Sequence, residues 1–419
     1  MHQQKNIHIC IKSSFNKGYI RANDYCFRIA NGFLILFLLI VNVCFSYAAN
    51  EKSLDYAILD VMTKYHTVGL SAVVVKDNKI VYTRTFGYNP DYCDSTLRFA
   101  IPTDGLHVIQ SISKSFVSMA IMQLVEKGNI NLDDDVNDYL TFTVRNPKYP
   151  NNPISIRMLM SHRSTINDKY YGWTFDQINP LKGKKWQNCY NDYQPGSVFS
   201  YCNLNYNLLG AIIELVTGER FFDYIDNHII SPLGLYASFN LTKLDSTRLI
   251  RSYQFDNKTR TFKKDSIIYN YQFYKQLLEN YGLGSSSTAC FSPSGGMKIS
   301  VIDLAKYMMM YMNYGEYNGK RILSKESVIE MWRPQGKDES PNSYFSQYGL
   351  SFSRWSKIVD GETFIGITGG AHGVHSAMYF NPEKKYGFVV ICNGCTYGTK
   401  MKDSIVKVLY DHFIKENSK

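Results

Sequence analysis

The chain lacks any run of lysine and arginine residues interleaved with aromatic residues, the pattern typical of a nucleic-acid-binding surface. Its net charge of +10 is spread over 419 residues, of which 20% are charged. Internal repeats of roughly 20 to 50 residues and low-complexity tracts are also missing. We therefore expect neither a nucleic-acid partner nor a repeat architecture, and the hydrophobic content of 45% is that of an ordinary globular protein.

The sequence also has no apolar run long enough to cross a membrane comfortably. The longest run lies between Phe33 and Phe45, after five basic residues and before Ser46-Tyr47-Ala48. A signal peptidase recognises small residues at such positions, so we predict a signal peptide over residues 1–48 and one folded domain over 49–419. The expected location is secreted or periplasmic, with a retained membrane anchor as the alternative, and no span is expected in the mature chain.

Patterns that bind metals are sparse. The single pair Cys392-x-x-Cys395 has no second pair to complete a zinc site, and His372-x-x-His375 is more typical of two loop or cleft histidines. We expect no metal and no cofactor. An exported chain can form disulfides, but the sequence leaves their pairing open. The cysteines that follow the signal peptide are Cys93, Cys189, Cys202, Cys290, Cys392 and Cys395.

Strands are predicted at both ends of the chain. Two β-rich runs flank Asp77-Asn78, which is a hairpin signal. Four more strands are predicted near the C-terminus, and helices with apolar periodicity lie between the two sets. The C-terminal strands are predicted over 348–352, 363–368, 376–380 and 387–393, and the helices over 111–127, 205–218 and 302–313. This order predicts an α+β (α/β sandwich) fold: an antiparallel sheet built from both chain ends, flanking helices, and an inserted, mostly helical lobe at about 130–285.

The first candidate catalytic motif is Ser111-Ile112-Ser113-Lys114. Ser-x-x-Lys also occurs at Ser14 and Ser404, but only Ser111 begins a strongly apolar helix. On a helix, residues i and i+3 share a face, so the Lys114 amine can reach the Ser111 hydroxyl. A serine needs such a base, and a desolvated lysine that has lost its proton can act as one.

Two further motifs complete a possible acyl-transfer site. Tyr201-x-Asn203 follows a Pro-Gly turn and precedes an amphipathic helix. A phenol near a lysine can move the proton of the leaving group, and an amide side chain can bind a substrate amide. The glycine-rich run Gly366-Ile367-Thr368-Gly369-Gly370 can direct a backbone N–H at a developing oxyanion.

Taken together, these motifs resemble the serine β-lactamase-like family, which contains class C β-lactamases, D-Ala-D-Ala carboxypeptidases and related esterases. The resemblance extends over about residues 53–415, in matching order. It includes Ile112–Phe116, Ile154–His162, Pro195-Gly196, Leu209-Gly210, Thr217-Gly218, Ser294–Met297 and Asp303–Ala305. It implies that the amides of Ser111 and Gly370 form the oxyanion hole, and that Asn203, Thr368, Gly369, Gly370 and His372 bind substrate.

One position departs from the family pattern. The third motif ordinarily begins with lysine or histidine, but Ile367 occupies that place. The missing cation or imidazole would have bound a substrate carboxylate. We therefore expect weak activity on β-lactams and D-Ala-D-Ala peptides, with His372 offsetting part of the loss.

The leading hypothesis is a serine hydrolase that forms an acyl-enzyme on Ser111, with Lys114 and Tyr201 as the other catalytic residues. Its substrate would be an ester or a peptide-like amide, in a small molecule or a peptide, and a cell-wall-derived substrate is among the alternatives. A second hypothesis, favoured by Ile367, is a catalytically impaired relative that binds cell-wall peptides or β-lactams. A third is a zinc hydrolase that uses the histidine and cysteine pairs.

Overall fold

The computed structural model describes residues 53–90, 98–172, 174–265, 269–336 and 347–415. The predicted signal peptide and Cys93 lie outside these residues. The chain divides into two units, Met1–Ile58 and Leu59–Lys419. In the first unit, the described residues 53–58 belong to helix α1, which covers 53–64. All other elements belong to the second unit.

An eight-stranded antiparallel sheet forms the centre of the second unit. Its strands are β1 Gly69–Lys76, β2 Lys79–Pro90, β3 Arg98–Ala100, β11 Gln347–Tyr348, β12 Ser353–Trp355, β13 Phe364–Ala371, β14 Val374–Asn381 and β15 Tyr386–Cys392. Their order across the sheet is β11-β12-β13-β14-β15-β1-β2-β3. The two chain ends meet where β1 pairs with β15, with Leu70 opposite Cys392. The predicted antiparallel sheet from both chain ends is confirmed, and so is the hairpin at Asp77-Asn78, where both residues have positive φ.

Helices cover both faces of this sheet. Their bounds are α2 Ser113–Glu126, α3 Ile156–Met160, α4 Asn203–Thr217, α5 Phe221–Ile225, α6 Tyr271–Glu279, α7 Ser286–Cys290, α8 Val301–Met312, α9 Lys325–Trp332 and α10 Gly398–Tyr410. Gly387 of β15 lies against Met308 of α8. The preceding residue, Tyr386, contacts Tyr410 of α10. Successive strand residues point to opposite faces, so α8 and α10 lie on opposite sides of the sheet. Burial on both faces explains the continuous apolar run of β1.

Short strands link the helical segments. They are β4 His107–Val108, β5 Ala237–Ser238, β6 Tyr253–Asp256, β7 Thr261–Lys264, β8 Lys298–Ile299, β9 Glu316–Tyr317 and β10 Lys320–Arg321. Strands β4, β8 and β5 form a three-stranded sheet, and β6 pairs with β7. The β6–β7 hairpin lies inside the region predicted to be mostly helical, so this part of the chain contains more β-structure than its sequence indicated.

The strand predicted over 348–352 is wrong. The chain pairs only at Gln347–Tyr348 and Ser353–Trp355, on either side of a turn. Within the turn, Ser351 has a φ of 128° and the Leu350 N–H bonds to the Met331 carbonyl. In the sequence, Leu350 and Phe352 alternate with Gly349 and Ser351, which is the pattern typical of a strand, but in the structure Ser351 is buried as well.

Across the ranges that the structure describes, no helix combines the length and the apolar character that a membrane span requires.

Glu214 fixes the end of helix α4 that lies far from Asn203. The Glu214 side chain is completely buried. It accepts hydrogen bonds from the Phe221 and Gly284 N–H groups and from the hydroxyls of Tyr281 and Thr288. A buried acceptor with this many donors ties α4 to α5, α7 and the segment between α6 and α7.

We expect Glu214→Gln to lower the free energy of unfolding by about 2 to 3 kcal/mol, because the new amide group faces donors that need an acceptor. Urea unfolding followed by circular dichroism measures the change. The matched control is Glu279→Gln, since Glu279 is exposed at the end of α6. Its effect should stay within about 0.5 kcal/mol. Equal effects of the two substitutions would contradict the role of Glu214.

Candidate active site

Ser111 lies in a short 3₁₀ turn, Gln110–Ile112, that leads directly into α2. Gln110 has a φ of 51°, which non-glycine residues seldom adopt. Two hydrogen bonds fix the preceding residue: the Ile109 N–H donates to the Met297 carbonyl, and the Ser376 hydroxyl donates to the Ile109 carbonyl. Such strain beside a nucleophile is common where the surrounding structure holds the backbone in place.

The close approach of β13 to this turn requires glycine at position 369. A Cβ atom there would lie 2.3 Å from the Ile109 carbonyl oxygen. Gly369 therefore packs against the nucleophile turn and does not line the cavity beside Ser111. Thr368 is half-buried, points to the other face of the sheet and does not line the cavity either. Gly370 is exposed and does line it.

Lys114 is completely buried beneath the nucleophile. Its Nζ atom lies 3.0 Å from Ser111 Oγ, 2.8 Å from Asn203 Oδ1 and 2.7 Å from the Ser294 carbonyl oxygen. A neutral amine has two N–H donors and one lone pair. Asn203 and Ser294 can take both donors, which leaves the lone pair to accept the Ser111 proton.

Burial lowers the pKa of Lys114 to about 7, although the nearby Asp168 carboxylate acts to raise it. A substantial fraction of Lys114 is therefore neutral at physiological pH. This is the state that a general base for Ser111 requires.

Tyr201 occupies the other side of the nucleophile, and its hydroxyl donates a hydrogen bond of 2.8 Å to Ser111 Oγ. Although 43% of its surface is exposed, desolvation around the hydroxyl raises the pKa of Tyr201, and the Ser111 hydrogen bond offsets only part of this. Tyr201 is therefore protonated at rest and suited to donate a proton. The buried His162 ring supports it from behind, with ring centroids 4.3 Å apart.

Asp168 is a site residue that sequence reasoning missed. Its carboxylate accepts hydrogen bonds from the backbone N–H groups of Asn203 and Leu204 and from Asn203 Nδ2. Because the Asn203 NH₂ group is held by Asp168, the Oδ1 atom of Asn203 is directed at Lys114. The negative charge also lies at the N-terminus of α4, where the helix dipole favours it. Asp168 belongs to no recognisable motif, so only the fold connects it with the site.

A cavity of about 390 Å³ opens beside Ser111. Of the predicted site residues, Tyr201, Asn203, Gly370 and His372 line it together with Ser111. The two residues proposed to supply oxyanion-hole amides, Ser111 and Gly370, thus border one space. The remaining lining residues were not predicted as site residues from the sequence: they are Val108, Gln110, Tyr171, Gly172, Tyr274, Ala289, Ser292, Ser294, Gly295, Gly296, Lys298 and Ala371.

His372 forms a pair with a buried carboxylate at the mouth of this cavity. Its Nδ1 atom lies 2.7 Å from Asp265 Oδ2, and its side chain is 39% exposed. Gly373 fixes the turn, since a Cβ there would lie 2.2 Å from the Tyr253 carbonyl oxygen. When Nδ1 carries the proton toward Asp265, Nε2 is the ring nitrogen left to accept a hydrogen bond.

The residues proposed for zinc do not form one cluster. His372 binds Asp265, whereas Cys392 and Cys395 are buried with their Sγ atoms 3.5 Å apart, beyond bonding distance. Within the described ranges, no group of three or more His, Cys, Asp or Glu side chains could hold a metal ion. These pairs give the zinc hypothesis no geometric support.

We expect kcat/KM for an uncharged ester to rise with pH and to level off above a midpoint near 7, because Lys114 must be neutral to accept the Ser111 proton. The measurement is a pH profile of initial rates across the range in which the enzyme stays folded. A midpoint near the ordinary lysine pKa would contradict Lys114 as the neutral base.

Asp168→Asn is the variant that tests the assignment of this midpoint. Asparagine keeps a carbonyl acceptor but removes the charge that raises the Lys114 pKa. The midpoint should therefore move to lower pH in the variant. A shift to higher pH would show that another group controls the profile.

This chain is similar in sequence to known proteins. Protein flp of Staphylococcus aureus strain N315 is 26% identical over 372 residues, which are 87% of this chain and 67% of that protein. A putative D-alanyl-D-alanine carboxypeptidase of Escherichia coli O157:H7 is 26% identical over 294 residues, 65% of this chain and 66% of that protein.

The fold is similar to that of solved structures as well. The octameric penicillin-binding protein homologue from Pyrococcus abyssi has a TM-score of 0.69 and 25% identity, over 86% of this chain and 77% of that chain. The sequence profile described as Beta-lactamase matches residues 54–407. That match spans most of the sequence, so this chain belongs to the beta-lactamase family.

Proposed function

We propose that this chain is a secreted or periplasmic serine hydrolase that forms an acyl-enzyme on Ser111 with an ester or a peptide-like amide. The observation that carries the proposal is the position of Ser111 Oγ, between Lys114 Nζ at 3.0 Å and the Tyr201 hydroxyl at 2.8 Å. Membership of a family of serine hydrolases supports it. The location rests on the charged and apolar N-terminal pattern alone.

In the acylation step, Lys114 takes the Ser111 proton while Oγ bonds to the substrate carbonyl carbon. The carbonyl oxygen becomes an oxyanion, and the amides of Ser111 and Gly370 are the donors proposed to stabilise it. Collapse of this intermediate breaks the bond to the leaving group. Tyr201 gives its proton to the leaving group and regains one from the Lys114 ammonium, so the base returns to its neutral form.

Deacylation uses the same groups in reverse. Water loses a proton to the relay of Tyr201 and Lys114 and attacks the acyl carbon. The Ser111 oxygen then leaves and recovers its proton. The charges that develop in these steps are those of Lys114 and the oxyanion. The Tyr201 and Tyr206 ring centroids lie 5.0 and 5.5 Å from Lys114 Nζ, and the ring faces favour the ammonium form.

Ser111→Ala should abolish both turnover of a nitrophenyl ester and covalent labelling by a fluorophosphonate, because the acyl group has no other acceptor in this mechanism. Mass spectrometry of the labelled peptide locates the modification. Ser404→Ala is the matched control, since its serine also precedes a lysine by three residues but donates to the Lys400 carbonyl on α10. Retained turnover in Ser111→Ala would show that a different residue is the nucleophile, whereas a wild type that neither turns over the ester nor takes the label would favour the binding-protein hypothesis.

Ile367 shapes the choice of substrate in this proposal. It is 5% exposed on β13 and shares a face with Gly369, the face that packs on the nucleophile turn. The side chain is therefore directed to the side of the sheet where Ser111 lies, but it offers neither a charge nor a donor. A carboxylate brought beside it would lose hydration without gaining a partner.

We expect the wild type to hydrolyse small activated esters better than penicillins, cephalosporins or D-Ala-D-Ala peptides. Ile367→His or Ile367→Lys should shift relative kcat/KM toward the carboxylate-bearing substrates by roughly tenfold or more. Ile367→Val serves as the control for repacking without charge. Efficient wild-type cleavage of a D-Ala-D-Ala peptide, unaffected by the histidine and lysine variants, would show that a different residue binds its carboxylate.

A further inference from the structure

A second buried lysine borders the cavity beside Ser111. Lys298 lies on β8, is 1% exposed and lines the cavity. It pairs with Val108 of β4, which also lines the cavity. Directly opposed residues of an antiparallel pair place their side chains on the same face, so Lys298 and Val108 form one wall. The chain continues from Val108 into the nucleophile turn, and this wall therefore leads to Ser111.

Lys298 has no carboxylate partner among the residues that the structure describes. Its Nζ atom donates to the Phe239 carbonyl at 3.1 Å and lies 5.0 Å from the centroid of the Tyr274 ring. Among the described residues, no carboxylate lies within ion-pair distance of it. The buried Lys402, by contrast, lies 3.6 Å from Asp403. An ammonium has three donors, so Lys298 has two that a ligand could satisfy.

Small residues form part of the cavity wall near Ser111 and Lys298. Gly295, Gly296 and Ala289 line the same cavity. A Cβ atom on Gly296 would lie 2.4 Å from the Phe291 carbonyl oxygen, so this position cannot carry a side chain without movement of the backbone. Gly296 is therefore required by the packing of the backbone, and the three small residues leave room for part of the substrate in this part of the cavity.

We infer that Lys298 binds a carboxylate on the acyl portion of the substrate, an inference that rests on the proposed serine hydrolase function. Tyr201 donates to Ser111 Oγ and protonates the leaving group in that mechanism, so the leaving group faces Tyr201. The acyl chain then extends away from Tyr201, along the wall that contains Val108 and Lys298. A terminal carboxylate on this chain would meet the buried Lys298 amine, which has no carboxylate partner in the described ranges.

The proposed carboxylate site at Lys298 differs from the position at which the family pattern places a cation. Ile367 occupies the position where the family pattern has a cation or imidazole and is not among the residues that line the cavity, whereas the buried Lys298 does line it. Burial lowers the pKa of Lys298 to about 7, and desolvation is the cause. A bound carboxylate favours the charged lysine, so the ligand would restore the ammonium form. The substrate class is therefore an ester or amide of a dicarboxylic acid or of an acidic acyl group.

The experiment compares esters that share one leaving group, nitrophenyl hexanoate and mono(nitrophenyl) adipate, after subtraction of spontaneous hydrolysis. We expect the wild type to have the higher kcat/KM for the adipate ester. Lys298→Met should lower the adipate-to-hexanoate ratio of kcat/KM by roughly tenfold or more. Lys402→Met is the matched control: it removes another buried lysine, which does not line the cavity, and should leave the ratio unchanged. Thermal unfolding of each variant accounts for losses of folded protein.

Several results would overturn the inference. A wild-type preference for hexanoate would do so without any variant, as would an equal fall for both esters in Lys298→Met, which indicates a structural role. A third ester carries the carboxylate on its leaving group instead of its acyl group. If Lys298→Met lowers kcat/KM only for that ester, the acyl-side assignment is wrong. Hexanoate turnover that Ser111→Ala abolishes shows that the proposed function holds even if the Lys298 inference fails, whereas turnover that persists in Ser111→Ala removes both.

Discussion

The burial of Lys114 is the constraint on which the rest of the site depends. An amine can remain inside a protein only if its hydrogen-bonding groups are satisfied, and Asn203, the Ser294 carbonyl and Ser111 meet this need. These partners come from α4, from the loop before β8 and from the nucleophile turn. Satisfying one nitrogen atom therefore ties two distant segments to the nucleophile turn. The same burial lowers the pKa of Lys114, so the burial that orders the site also allows Lys114 to act as a base.

The sheet supplies the second half of this arrangement. Gly369 allows β13 to approach the Ile109 carbonyl, and Ser376 of the neighbouring strand bonds to the same oxygen. Together they hold the turn in a conformation that Gln110 would not adopt alone. The helical part of the protein thus supplies the proton relay, while the sheet fixes the nucleophile and presents Gly370 to the cavity. Catalysis by such a site consists mainly of groups placed before the substrate arrives.

Buried lysines serve different purposes in this protein because their surroundings differ. Lys114 lies among hydrogen-bond acceptors next to a nucleophile, and Lys402 lies near Asp403 and donates to the Tyr379 hydroxyl. Lys298 has one carbonyl acceptor and an aromatic ring, and it borders the cavity. Three similarly buried lysines therefore have different roles. Lys114 is a base beside the nucleophile, Lys402 is a structural group near a carboxylate, and Lys298 is proposed to bind substrate.

The sequence alone determined the antiparallel sheet, the principal helices and the three motifs, because these depend on local periodicity and on residues close together in the chain. It could identify Ser111 and Lys114 since one helical turn separates them. The sequence could not identify three further residues, Asp168, Asp265 and Lys298, as part of the site, because each acquires its neighbours only when distant segments pack together. For the same reason, the pattern of Leu350 and Phe352 indicated a strand where the chain turns. Tertiary structure also decided that Gly369 supports the nucleophile turn instead of lining the cavity, since its neighbour, the Ile109 carbonyl, comes from a segment 260 positions earlier in the chain.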